Sequence, residues 1–187
     1  MYIRAQSIKD FQSRIPIYQE IIDKYPNEKW AYFEIGDMLW HNAESEKSIN
    51  YFQESLALDP TFEFSIQHLS WAYRDMDMHD ENIDLVNKAL KIYPDKPSYK
   101  ESQFVAYRYA GKFKEYFSLA RDLEQSEVKI LNPDRIFGDG YLISGDYDNA
   151  KEKYLKLLSN AETETTGLYK LKEHSVYRGD YKKYIFY

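Results

Sequence analysis

The 187-residue sequence has no cysteine. Disulfides, thiolate nucleophiles and Cys-ligated zinc are excluded together, and the composition suits a reducing compartment, so a cytoplasmic location is expected. No apolar run approaches the roughly 20 residues that span a bilayer as a helix. The opening MYIRAQSIKDFQSR also lacks the continuous apolar core of a secretory signal, and no membrane partner is expected. Positive charge is the minority sign: 25 Lys and Arg against 31 Asp and Glu leave a net charge of −6. The charges are interspersed, with no basic stripe to follow phosphates, so nucleic acid is not an expected partner.

Motifs of catalysis are missing as well. There is no Gly-rich phosphate loop, no HExxH and no Gly-x-Ser-x-Gly. The four His, at 41, 68, 79 and 174, are scattered along the chain. The acidic run from Asp75 to Glu81 places acids at alternate positions, but Asp80 stands where a calcium loop needs Gly and Val86 where it needs Glu. These acids read as residues near a helix N-terminus, where the helix dipole favours them. The sequence therefore predicts no catalytic residue, no metal and no cofactor, and reads as non-enzymatic.

What the sequence does contain is a period. Pro26, Pro60 and Pro94 stand 34 residues apart, each closing a helical phrase: IIDKYP, SLALDP and ALKIYP. Gly111, Gly145 and Gly179 carry the same spacing into the other half. One frame holds both sets, giving complete units at 29–62, 63–96, 97–130 and 131–164, a partial unit at 1–28 and a truncated one at 165–187. The expectation is a single repeat domain. Within each unit, apolar residues recur at helical spacing, with a small residue where two axes approach closely. The spacing predicts first helices near 29–41, 63–75, 97–109, 131–143 and 165–177. Second helices are predicted near 46–58, 80–92, 114–126 and 148–159, and a helix over 15–25 with Pro16 in its first turn and Ser13 as a cap. Residues 1–8 read as a cut-down helix.

The pattern resembles the tetratricopeptide repeat, W-x2-L-G-x2-Y then A-x3-F then P within 34 residues. The fourth unit carries it through Phe137, Gly138, Tyr141, Gly145, Ala150, Tyr154 and Leu157, and the first through Tyr32, Ile35, Gly36, Leu39, Phe52 and Pro60. The second keeps Leu69, Ser70, Tyr73, Ala89 and Pro94, with Asn82 at a position usually small and apolar. The third departs most: Phe104 replaces the small residue, Tyr116 the Ala and Val128 the Pro. The resemblance implies an all-α fold, a right-handed α-solenoid of antiparallel helix pairs, acting as a protein-protein interaction module or scaffold.

In that family, first helices line a concave groove for a peptide or helix. Carried over by frame, the groove residues are Trp30, Phe33, Asp37, Trp40 and His41 from the first unit, and Gln67, His68, Trp71, Arg74 and Asp75 from the second. The third contributes Glu101, Arg108 and Tyr109, and the fourth Arg135. All three Trp fall in this set, and aromatic and Arg side chains are the usual anchors of interfaces. The competing reading gives Trp30 and Trp71 to packing between helices. The two-carboxylate clamp of chaperone-tail binders is absent, because its positions hold Phe33, Asp37, His68, Ser98 and Ser102. Finally, the phrase holding Tyr181, Tyr184, Ile185, Phe186 and Tyr187 is apolar where a solenoid end needs a polar cap. A homodimer through that face, or a neighbouring domain of a larger, signalling-type protein, is the alternative expectation.

Overall fold

The structure is a computed structural model that describes residues 8, 10, 12–125 and 132–179. Among the described residues it is all-helical. A 3-10 turn, Gln12–Arg14, leads into α1 (Ile15–Lys24), followed by α2 (Lys29–His41), α3 (Ser45–Leu58), α4 (Glu63–Asp75) and α5 (His79–Ile92). Then come α6 (Pro97–Tyr109), α7 (Phe113–Gln125), α8 (Pro133–Ile143), α9 (Tyr147–Leu157) and α10 (Glu164–Tyr177). The chain divides into two compact units, Met1–Tyr99 and Lys100–Tyr187.

Where the connection is described, short turns join consecutive helices within each unit, and such turns leave antiparallel neighbours. The turn from first to second helix contains one residue with positive φ, and this residue recurs every 34 positions: Ala43 (60°), Asp77 (54°), Gly111 (65°), Gly145 (85°) and Gly179 (75°). Only in the last three is it glycine, which adopts this conformation without penalty.

Buried residues in each helix follow its period. In α4 they are Ser65, Ile66, Leu69, Ala72 and Tyr73, and in α5 Asn82, Ile83, Val86 and Ala89. Asn82, buried at a position usually apolar, accepts a 2.7 Å bond from the Ser70 hydroxyl, so its burial leaves no orphaned carbonyl. The pair α2/α3 closes through Gly36, where a Cβ would stand 2.7 Å from the Phe52 ring. Phe52 is wholly buried, a ring of this size contributing about 1.5–3 kcal/mol. At the unit's N-terminal end Ile17, Tyr18, Ile21 and Ile22 of α1 pack with Ala31, Ile35, Met38 and Leu39 of α2. Pro16 lies in the first turn of α1 as expected. Ser13 does not cap α1: its N–H and hydroxyl both donate to Asp10, and the residue at the cap is Arg14. The expected helix over 1–8 lies outside the described residues, Ile8 excepted.

The second unit uses the same device in α8/α9, where a Cβ on Gly138 would overlap the ring of buried Tyr154. Asn132 caps α8 by accepting from the Arg135 N–H, and Asp146 caps α9 by accepting from the Asn149 N–H. The departures of the third repeat find their compensation here. Phe104 and Tyr116, each bulky where the pattern wants a small residue, meet edge-on at 5.1 Å in a cluster with Ala120, Ile136 and Phe137. Room comes from Gly140 in α8, whose missing Cβ would otherwise stand 2.7 Å from the Tyr116 ring and 2.9 Å from that of Phe117. The Tyr116 hydroxyl donates to the Ile136 carbonyl at 2.7 Å. Val128 lies outside the described residues.

Candidate functional site

In the first unit α2 and α4 touch, and the side chains that the 34-residue frame selects on them form one run of rings. Trp30 lies 4.6 Å from Phe62 and 5.3 Å from Phe64, measured between centroids. One turn on, Phe33 sits 5.1 Å from His68, which is 4.7 Å from Trp71. Trp71 in turn is 5.4 Å from Trp40, and Trp40 4.9 Å from His41. Trp30 and Phe64 are 39% and 51% exposed, whereas Phe33 is only 7% exposed and belongs to the core with Ile49, Phe52 and Phe62. Phe33 therefore forms the floor of this face. Trp40 and Trp71 are half-buried, each covering the other's helix while keeping an open edge.

Polar groups fix the rings. The Trp40 indole N–H donates to Asp75 at 2.7 Å, and the Ser45 hydroxyl donates to the same oxygen at 3.4 Å. Asp37 Oδ1 faces His41 at 3.5 Å and His68 at 3.2 Å. The other ring nitrogen of His68 faces the Phe64 carbonyl at 2.8 Å. A neutral imidazole donates to one of these two acceptors, and the protonated ring donates to both. Burial raises the neighbouring Glu34 carboxyl above its ordinary range against the bond from the Tyr18 hydroxyl, and the charge of Asp37 adds to the rise. Burial and Glu34 together push Tyr18 up to about 12. Gln67 is exposed on α4, and Arg74 lies half-buried near the end of the same helix.

The remaining frame-selected residues occupy the second unit. Glu101 pairs with Arg135, while Arg108 and exposed Tyr109 end α6. They border two adjoining hollows to which the sequence reading did not assign Lys170, whose ammonium reaches Asp139 at 3.0 Å and Glu173 at 2.9 Å. The signal was available: counted from 165, Lys170 and Glu173 occupy the frame positions that Glu34 and Asp37 hold in the first unit. Burial opposes the charges of Arg135 and Lys170, yet both are held above their ordinary values, Arg135 by its bond to Glu101 and Lys170 by the attraction of Asp139 and Glu173. Asp139 also accepts from the Tyr154 hydroxyl at 2.9 Å.

A further cleft of about 420 Å³ lies on the second-helix side of the first unit, between Leu56 of α3 and Leu85 and Ile92 of α5, over Ile66 and Tyr73. Among the described residues no three His, Asp or Glu gather as a metal site, and no helix is long and apolar enough to cross a membrane. Tyr181, Tyr184, Ile185, Phe186 and Tyr187, the expected self-association face, lie outside the described residues.

Residues 31–62 match the tetratricopeptide repeat profile. No curated protein sequence matches the chain. Similar solved structures include a tetratricopeptide repeat protein from Parabacteroides merdae, at a TM-score of 0.73 and 11% identity over 94% of this chain and 70% of that one. PilW, a type IV pilus biogenesis factor, gives 0.64 and 14% over 98% and 84%. YrrB, a tetratricopeptide repeat protein described as having an unusual peptide-binding site, gives 0.56 and 16% over 89% and 86%. At these identities the structures speak for the fold. Residues 31–62 therefore match a tetratricopeptide repeat, and the helix pairs of both units share the fold of tetratricopeptide-repeat proteins.

Proposed function

We propose that the chain is a protein-interaction module whose aromatic face on α2 and α4 holds a peptide or helix from another protein. The observation that carries this reading is the unbroken ring contact from Trp30 through Phe33 and His68 to Trp71 and Trp40, with Trp30 exposed at one end. Large rings fixed by neighbours lose little freedom when covered, which is why they dominate interface energies. Tetratricopeptide-repeat proteins are generally scaffolds rather than catalysts, and YrrB is described by its peptide-binding site. A cysteine-free chain suits this role in the cytoplasm.

All three Trp lie on this face, so their fluorescence reports on it directly. A partner recovered by affinity capture should quench or shift that emission, and Trp71→Ala should weaken its binding about 30-fold while far-UV circular dichroism stays unchanged. Equal binding by the variant would remove the assignment. Exposed Tyr169, Val176 and Tyr177 on α10 favour a second reading, self-association or docking of a neighbouring domain through that helix. A sedimenting mass that stays monomeric at every concentration would remove the self-association arm.

A further inference from the structure

The second unit contains two adjoining hollows, of about 230 and 320 Å³, that share Arg108, Asp139 and Lys170 in their walls. The smaller holds three cations, Arg108, Arg135 and Lys170, against two carboxylates, Glu101 and Asp139. Pairing accounts for all but one of them. Arg135 is bound to Glu101, and Lys170 to Asp139 and Glu173. Asp139 is further held by the Tyr154 hydroxyl. Arg108 has no ion pair among the described residues, and its guanidinium lies 5.2 Å from the centroid of the Tyr109 ring. It is half-buried, so it keeps part of its hydration and presents the rest of its donors to the hollow. Across the two hollows three cations meet three carboxylates, Glu101, Asp139 and Glu173, and Arg108 is the cation that no carboxylate contacts among the described residues.

We propose that Arg108 anchors a single carboxylate of an incoming peptide. The planar fork of a guanidinium matches a carboxylate bidentately, and the paired cations around it are not free to compete. One guanidinium without a paired carboxylate fits a monoanion. A phosphate dianion would bring its second charge against Glu101, Asp139 and Glu173. The walls beside Arg108 are apolar, Val105 and Ile136 in the smaller hollow and Leu142 and Ile143 in the larger. The carboxylate therefore comes flanked by an apolar side chain, from either an acidic residue or a chain terminus. This site belongs to the second unit, and its residues are not those of the aromatic face in the first.

The test is a titration of the 15N-labelled full chain, following the Arg108 side-chain N–H signal and the amides of α6 and α8. Three peptides separate the sources: acetyl-Gly-Leu-Glu-Leu-amide carries only a side-chain carboxylate, acetyl-Gly-Leu-Gln-Leu as the free acid only a terminal one, and acetyl-Gly-Leu-Gln-Leu-amide neither. At least one acid peptide should shift the Arg108 signal and the amide control should not. Arg108→Gln should weaken binding about tenfold or more, and Arg108→Lys, which keeps the charge but not the fork, should fall between. The dispersed amide spectrum of each variant shows that it is folded. Binding of the Gln variant at wild-type strength, equal shifts with the amide control, competition by inorganic phosphate at matched concentration, or no response from any peptide at its solubility limit would each overturn the proposal. Tryptophan emission, confined to the first unit, tests the aromatic face separately.

Discussion

In the first unit, α2 contributes Gly36 and α3 contributes Phe52; in the second, α6 contributes Phe104 and α7 contributes Ala120. The two pairs occupy the same positions of the 34-residue frame, with the sizes exchanged. α4 and α5 fall between them with Ser70 and Val86, and α8 and α9 repeat the first arrangement with Gly138 and Tyr154. What the frame holds constant is the sum of two volumes at one helix crossing, and which helix supplies the bulk is free. This follows from close packing: an interior at crystal density tolerates an exchange that conserves volume far better than one that does not.

That comparison can be broken by a double-mutant cycle in urea, where the largest effects are expected. Phe104→Gly should cost about 3–5 kcal/mol through the cavity it leaves, and roughly 1 kcal/mol more for a glycine inside a helix. Ala120→Phe alone should cost about 1–3 kcal/mol by overpacking. The double variant Phe104→Gly with Ala120→Phe, which restores the arrangement of α2/α3, should be more stable than the sum of its single changes by about 2 kcal/mol. Strict additivity would mean that the two positions do not share one space.

The fold was legible because its period was written in residues with backbone consequences. The prolines at 26, 60 and 94 and the glycines at 111, 145 and 179 marked helix ends, and the observed second helices begin at 45, 79, 113 and 147, one frame apart. Ser13 misled, because a cap hydroxyl must accept from a helix N–H, and Ser13 lies instead inside the 3-10 turn, where its N–H and hydroxyl donate to Asp10. On α2 and α4 the frame selected rings that the structure brings into contact, but it did not give their depth. Phe33 and Trp30 are neighbours in pattern, and only packing against Phe52 and Phe62 decides that one is floor and the other rim. The compensation of Tyr116 by Gly140 was invisible, because it joins residues of successive repeats that no single-repeat pattern connects. Lys170 was missed for a simpler reason: the frame gave the bounds of the last helix, but its groove positions were not carried into it.

The units differ again at their turns, with an expected effect of intermediate size. Ala43 and Asp77 hold the left-handed conformation in the first unit, and Gly111, Gly145 and Gly179 hold it in the second. A side chain there costs about 1–2 kcal/mol, partly offset because it also restricts the unfolded chain. Ala43→Gly should therefore stabilise the protein by about 0.5–1 kcal/mol, raising the melting temperature by about 1–4 °C. Gly145→Ala should lower it by a similar amount. Two variants moving in the same direction would show that these turns differ in more than backbone strain.

The smallest effect separates two carboxylates by pH. In the first unit Asp59, next to the end of α3, is held down to about 2 from an ordinary value near 3.8, by its bond from Lys29, then by the hydroxyl and the backbone N–H of Thr61. In the second, Glu152 of α9 is also held below its ordinary range, by its bond to Lys156. For either group the folded state binds its proton less tightly than the unfolded chain does. The stabilisation is therefore present above the ordinary carboxylate range and is lost as the pH falls through the folded value. Both sites meet solvent, so screening keeps each contribution small and reduces it further in salt. With three donors against one cation, Asp59→Asn should flatten more of the acid arm of the stability profile, between about pH 4 and 2, than Glu152→Gln does. The difference should shrink in 1 M salt toward what the uncharged donors of Thr61 supply, since those bonds are local and survive screening. An acid arm equally steep in wild type and Asp59→Asn would place the acid sensitivity of the first unit elsewhere than at this junction.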